Sequence, residues 1–219
     1  MSEATITVRG TAREQLSPER ARVRAEVSIE SPARDDAYAR ATASAALVRA
    51  ALTELATAPG ILATWSSDTL RLWSARPWSE TGEAPLQHTA QITFEAVFAE
   101  LTALPHWLDT VAEIDGMRIA GIGWELSPES HTAALTRVRA NAVADAVDKA
   151  SAYAHSVGLS TVTATAIADS GMLDGAGSAP ELGGFSRAMM HADAAGSGIE
   201  MRPSDVEVTA SVDIRFAAR

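Results

Sequence analysis

Five histidines are the side chains best suited by type to ligate a metal or shuttle a proton: His88, His106, His131, His155 and His191. A zinc-binding helix sets two histidines four residues apart, with a carboxylate to match, and none of these pairs has that spacing. No metal site is expected. The chain has no cysteine, which removes disulfides, thiolate zinc sites and thiol nucleophiles together and fits a reducing compartment. No G-x-S-x-G elbow occurs, and "GFSRA" around Ser186 is not one. Carboxylates are plentiful, but nothing in the spacing says which two approach each other, so no acid–base pair is assigned. Neither a catalytic residue nor a cofactor is expected.

Two glycine-bearing stretches resemble nucleotide loops only in part. "GIG" at Gly121–Gly123 ends a strand and precedes a helix, but Leu126 stands where a dinucleotide fingerprint needs a small residue. Close packing of that strand on a helix is the simpler account. "DGAGSAPELGG", residues 174–184, lacks the lysine and hydroxyl of a phosphate loop and is read as flexible linker. Trp65, Trp73 and Trp78 either line an interface or pocket or are buried at a hairpin, and burial is the simpler account. Phe185, Met189 and Met190 are apolar inside a stretch that should be polar. They fold back on their own domain or touch another subunit. Trp73, Trp78, Phe185, Met189 and Met190 are therefore the candidate interface residues.

The elements that must position these residues follow from periodicity. Ile6 and Val8 alternate with Thr5, Thr7 and Arg9. After a turn region holding Gly10, Ser17 and Pro18, residues 20–30 put Ala21, Val23, Ala25, Val27 and Ile29 on one face and charges on the other. An antiparallel pair joined by this turn is expected. The period then changes to a helix. Ser31 is the expected cap and Pro32 the first helical residue, with Asp35 and Asp36 near the positive dipole end. Ala41, Ala45, Val48, Leu52 and Leu55 form its buried stripe, and Pro59 with Gly60 ends it.

A strand around Leu70 and Leu72, a polar connection and a strand with Ala90, Ile92, Phe94, Ala96 and Phe98 on one face make a second hairpin. A short helix around Trp107, Leu108 and Val111 stops at Gly116, ahead of the strand "MRIAGIGWEL". The second long helix starts at Ser127 and Pro128 and is capped by Gly158, with Leu135, Val138, Ala142, Ala146, Ala150, Tyr153 and Val157 inward. "STVTATAIA" is a sixth strand. Residues 169–204 lose all period and hold seven of the fourteen glycines, as a flexible loop or an excursion onto another subunit would. The last strand, "DVEVTASVDIRF", alternates throughout and needs an edge. An antiparallel place beside an earlier long strand is expected. Pairing with the second strand would set Glu207 and Asp213 among Arg20, Arg22 and Arg24. The fold class expected is α+β: an antiparallel or mixed sheet of about seven strands against two long helices and one short one.

A chain of 219 residues buries enough surface for a substantial core. It is expected to be one domain over 1–219, with room for two lobes. A net charge of −10 repels phosphate backbones, so nucleic acid is not an expected partner. The apolar runs are broken by alanine and charge, so no segment is expected to span a bilayer. The opening "MSEATITVRG" has neither basic n-region nor apolar h-region, and a cytoplasmic location is expected.

Three stretches resemble the SIMPL domain family, known from bacterial periplasmic immunogenic proteins and a mammalian signalling adaptor. They are "ITVRGTA" with "ARVRAEVSIES" and the alanine-rich helix after it, "LTRVRANAVADAVDKASAYAHSVGLS", and "RAMMHADAAGSGIEMRPSDVEVTASVDIRF". The resemblance covers nearly the whole chain. It implies an α+β protein that forms a homo-oligomer, with no catalytic residues to carry over and a role related to stress or the envelope. The chain departs from the bacterial pattern in its opening residues, where a signal peptide is expected of periplasmic members, and in its hairpin tryptophans. The function expected is thus a non-catalytic, self-associating protein. The alternative is a small-molecule binder with an apolar pocket between helix and sheet.

Overall fold

A computed structural model describes residues 3–78, 84–173 and 202–219. In chain order the elements are β1 (Ala4–Leu16), β2 (Arg20–Ser31), α1 (Arg34–Thr57), β3 (Leu62–Ser67), β4 (Arg71–Ala75), β5 (Gln87–Phe98), α2 (Ala103–Ala112), β6 (Met117–Glu125), α3 (Pro128–Ser156), β7 (Val162–Asp169) and β8 (Val206–Ala218). The class is α+β, as expected, but the strands number eight and lie in two antiparallel sheets. The described residues fall into two compact units. One lies within Met1–Ser17, Leu126–Ser186 and Asp205–Arg219, the other within Pro18–Glu125 and Arg187–Ser204.

In the first unit the sheet order is β1-β8-β7, so the terminal strand is central. β8 pairs antiparallel with β1 along its length, from Ala4 opposite Ala218 to Leu16 opposite Val206. The expected partner, β2, is wrong, and so is the expected β1–β2 hairpin: β2 pairs with β5 and β6 instead. The link between β1 and β2 explains this. Tight hairpins use Asn-Gly-type loops with positive φ, whereas Ser17-Pro18-Glu19 has no such residue and Pro18 has no N–H for a ladder. Val208, Ile214, Phe216 and Ala218 are buried on the face that α3 covers, as the alternation requires.

Ser127 caps α3 by accepting the Ser130 amide at 3.2 Å, Pro128 opens it, and Gly158 at φ +78° follows its end, all as expected. Its buried row is Ala134, Val138, Ala142, Ala146, Ala150 and Ala154. The row keeps a strict four-residue step, an i±4 ridge inclined to the helix axis. Tyr153 and Val157, expected inward, are exposed. The methyl-sized row has a cause opposite it. A Cβ on Gly10 of β1 would collide with the Ala142 carbonyl oxygen and lie 2.8 Å from the Ala146 Cβ. Glycine below and alanine above let the helix lie this close to the sheet.

In the second unit the sheet order is β3-β5-β2-β6, with β4 beside β3 on the same edge of β5. The pairing of β4 with β5 is the expected second hairpin. β3, "LATWSS", is an addition that its weak alternation hid. Ala37, Ala41, Ala45, Val48 and Leu52 of α1 pack on Val23, Val27, Ile29, Phe94 and Phe98, and Leu104, Trp107 and Val111 of α2 complete the core. The Trp107 and Phe98 rings meet at 5.5 Å and 52°. Truncating a phenylalanine such as Phe94 would cost about 3–5 kcal/mol.

The cap of α1 is Ala33, not Ser31, which ends β2 and accepts the Ala33 amide at 3.2 Å. Pro32 accordingly lies before the helix. Gly116 turns the chain from α2 into β6 at φ +71°, where a side chain would also strike Ile29. The expected close packing at Gly121 and Gly123 is not found. A Cβ on Gly121 would meet nothing within 4 Å, and one on Gly123 only the Arg22 carbonyl oxygen at 4.0 Å. Gly121 instead flanks a bulge, where Ala25 pairs with Ile119 and Arg24 with Gly121, leaving Ala120 extra. Among the described residues no helix is long and apolar enough to cross a membrane.

Candidate interaction surfaces

β4 is short because it shares one edge of β5 with β3, and its alternation splits two neighbours. Leu72 packs on the core while Trp73, opposite Thr89, is 43% exposed. Past the strand Trp78 is 84% exposed, and Leu86 on the returning side is 39% exposed. Polar bonds brace the base of this projection: Ser74 Oγ lies 2.6 Å from His88 Nδ1, and Arg76 donates to the Ala84 carbonyl at 3.0 Å. Trp65 is half-buried against the core. Burial therefore accounts for Trp65 and fails for Trp73 and Trp78, which present large apolar area to solvent. Phe185, Met189 and Met190 lie outside the described residues.

The polar face of the five-stranded sheet carries a charge lattice that periodicity alone could not reveal. Alternation puts Arg22, Arg24 and Glu26 on this face, with Glu95, Gln91 and Arg118 from the flanking strands. Glu26 is only 8% exposed. It accepts from Arg118 at 2.5 Å and from Gln91 at 3.0 Å, with Arg24 at 3.7 Å. Arg22 grips Glu125 with two nitrogens, and that bond above all holds its proton more firmly than usual. Each of these charges has a counter-charge within the lattice.

A groove of about 580 Å³ lies between α1 and α2, its lining including apolar Ala43, Leu47, Ala51 and Ile114 and charged Arg40, Glu113 and Asp115. Arg40 donates to Asp115 at 2.6 Å, which raises its pKa further. The apolar pocket is expected between helix and sheet, whereas this groove lies between helices.

In the first unit, one flank of α3 reaches the outer edge of β1. Arg137 forms a two-point bond to Glu14, at 2.8 and 3.2 Å. Asp145 accepts the Thr11 amide at 2.8 Å, and Lys149 donates to the Arg9 carbonyl at 3.0 Å. Lys149 also donates to Asp145 at 2.6 Å. That bond first, and the Thr11 amide second, hold the Asp145 carboxyl below its usual range. The four-residue spacing of Asp145 and Lys149 reads as an ordinary helix-surface pair. Nothing in it says that the pair also binds main chain.

Among the described residues no group of three or more His, Asp or Glu could hold a metal. His106, His131 and His155 are exposed, and His191 lies outside the described residues. A family model described as SIMPL, protein of unknown function (DUF541), matches residues 6–216. No curated protein matches the chain.

Proposed function

The chain belongs to the SIMPL family, and from that premise we propose that it is a non-catalytic protein that self-associates through the β4–β5 projection. The observation that carries this is Trp78 at 84% exposed with Trp73 at 43%. Tryptophan is enriched where protein surfaces bury one another, because one rigid side chain removes a large apolar area from water at small entropic cost. The polar bonds at the base of the hairpin hold it ready. A surface whose charges are all paired, as around Glu26, supports an assembly role better than catalysis, which uses perturbed and unsatisfied groups. Size-exclusion chromatography with light scattering tests the proposal. The chain is expected as an oligomer at micromolar concentration, and Trp73→Ala with Trp78→Ala as a smaller species. A strict monomer would overturn it.

A second function, binding of a small apolar molecule, rests on the α1–α2 groove. Its mixture of apolar and charged lining suits a ligand with one polar end. Ligand-dependent melting shifts that Leu47→Glu abolishes would support this function. Shifts unaffected by that change would remove it.

A further inference from the structure

Among the described residues no strand pairs with the outer edge of β1, a strand of thirteen residues. A long edge strand offers a row of amides and carbonyls to any extended segment. In a strand the N–H and C=O of one residue point to the same side, so the outward Thr11 amide and Arg9 carbonyl mark the odd residues of β1 as facing this edge. These two groups are the ones α3 takes up. The Asp145 carboxylate accepts from Thr11 at 2.8 Å, and the Lys149 ammonium donates to Arg9 at 3.0 Å. Together they stand in for the carbonyl and amide of an added strand, and Gly10, between the two, allows the helix near enough to deliver them.

We propose that the Asp145–Lys149 pair is a clasp that closes the β1 edge against strand addition by a second copy of this chain. The sequence of β1 says why a second copy is the strand to exclude. An antiparallel pair of β1 strands centred on Gly10 would set Arg9 opposite Thr11, Arg13 opposite Thr7 and Gln15 opposite Thr5, with no like charges facing. In that register the Thr11 amide and the Arg9 carbonyl would bond to each other across the two-fold, so the clasp occupies the central contacts. The other edges are blunted by different means. β3, β6 and β7 carry register breaks at Ala63, Ala120 and Thr165, and β4 has only five residues. Among the described edge strands β1 alone is long and unbroken. The clasp is independent of the tryptophan contacts proposed above.

The test is Asp145→Ala with Lys149→Met in the full chain, compared with the wild type by light scattering over a concentration series, with circular dichroism as a check on folding. The clasp-free chain is expected to form a species larger than the wild-type assembly, at about tenfold lower concentration than the wild type forms one. Adding Thr11→Pro, which removes the edge-facing amide and leaves the β8 ladder intact, should return it to the wild-type state. A folded clasp-free chain that associates no more than the wild type overturns the proposal. So does association that Thr11→Pro leaves unchanged, because the contact would then lie elsewhere. If the double variant loses its fold, Asp145→Ala alone carries the same two outcomes, since it releases the Thr11 amide that an added strand must engage.

Discussion

Arg9 on β1 grips Asp213 on β8 at two points, Nε to Oδ1 at 2.7 Å and Nη2 to Oδ2 at 3.0 Å. The two residues face each other in the ladder although 204 positions separate them. Asp213 also accepts the Gly171 amide at 2.8 Å, so one carboxylate ties both ends of the chain to the end of β7. The closure entropy of so long a loop grows only slowly with length, and a full-length ladder with a buried face offsets it.

That carboxylate should make stability depend on pH. Arg9 first, and the Gly171 amide less, hold the Asp213 carboxyl below its usual range against the opposing effect of burial. A depressed folded-state pKa stabilises the fold above the unfolded value of about 3.9, and the contribution fades as pH falls through the folded value. Asp213→Asn should cost about 1 kcal/mol at pH 7, because Asp213 is 13% exposed but Arg9 is half-exposed and screened. Urea melts at pH 7 and pH 2 check this: the gap between variant and wild type should shrink at the lower pH.

Gly10 and Gly121 should respond oppositely to the same added methyl. At Gly10 the new Cβ strikes the Ala142 carbonyl oxygen, which is backbone and cannot swing away. Gly10→Ala should therefore cost about 1–3 kcal/mol by overpacking. At Gly121 there is open space, and Gly121→Ala should fall within about 0.5 kcal/mol of the wild type. Thermal melts of the two variants side by side settle the contrast.

Alternation told which face of the long strands is buried, because that depends only on a period of two; it could not tell which strands pair. The faces of β2, β5 and β8 follow the pattern, yet β8 lies beside β1 rather than β2. Pairing depends on complementarity between distant segments, here Arg9 with Asp213. The same limit applies to α3. Hydrophobic size favoured Tyr153 and Val157 as inward residues, but the close approach at Gly10 selects methyl groups and turns the larger side chains out. At the surface the aromatic type of Trp73 and Trp78 was informative, whereas the clasp on β1 was not legible because main-chain groups have no signature in sequence.

Residue size on α3 can be tested directly. Ala146 is fully buried on the sheet-facing side of the helix, and Tyr153 is 58% exposed. Ala146→Leu should cost at least about 1–3 kcal/mol, as extra methylenes have nowhere to go. Tyr153→Ala should change stability by less than about 0.5 kcal/mol. Equal effects in urea titration would mean that the helix is rotated from the orientation described.

The two ends of the Glu26–Arg118 bond should prove unequal. The Arg118 side chain is 66% exposed and regains water when its partner is removed, whereas the Glu26 side chain, 10% exposed, does not. Glu26→Gln keeps an acceptor for Gln91 or Arg118 and discards the buried charge, so it should cost no more than about 1 kcal/mol. Arg118→Gln leaves a carboxylate in place with Gln91 as its near donor and Arg24 at 3.7 Å, and should cost about 1–3 kcal/mol. Together the two changes should cost less than their sum, with a coupling of about 1 kcal/mol in a double-mutant cycle. Additive losses would show that Arg24 and Gln91 alone satisfy Glu26. Arg118 would then be an ornament of the sheet edge rather than the counter-ion that lets a carboxylate be buried there.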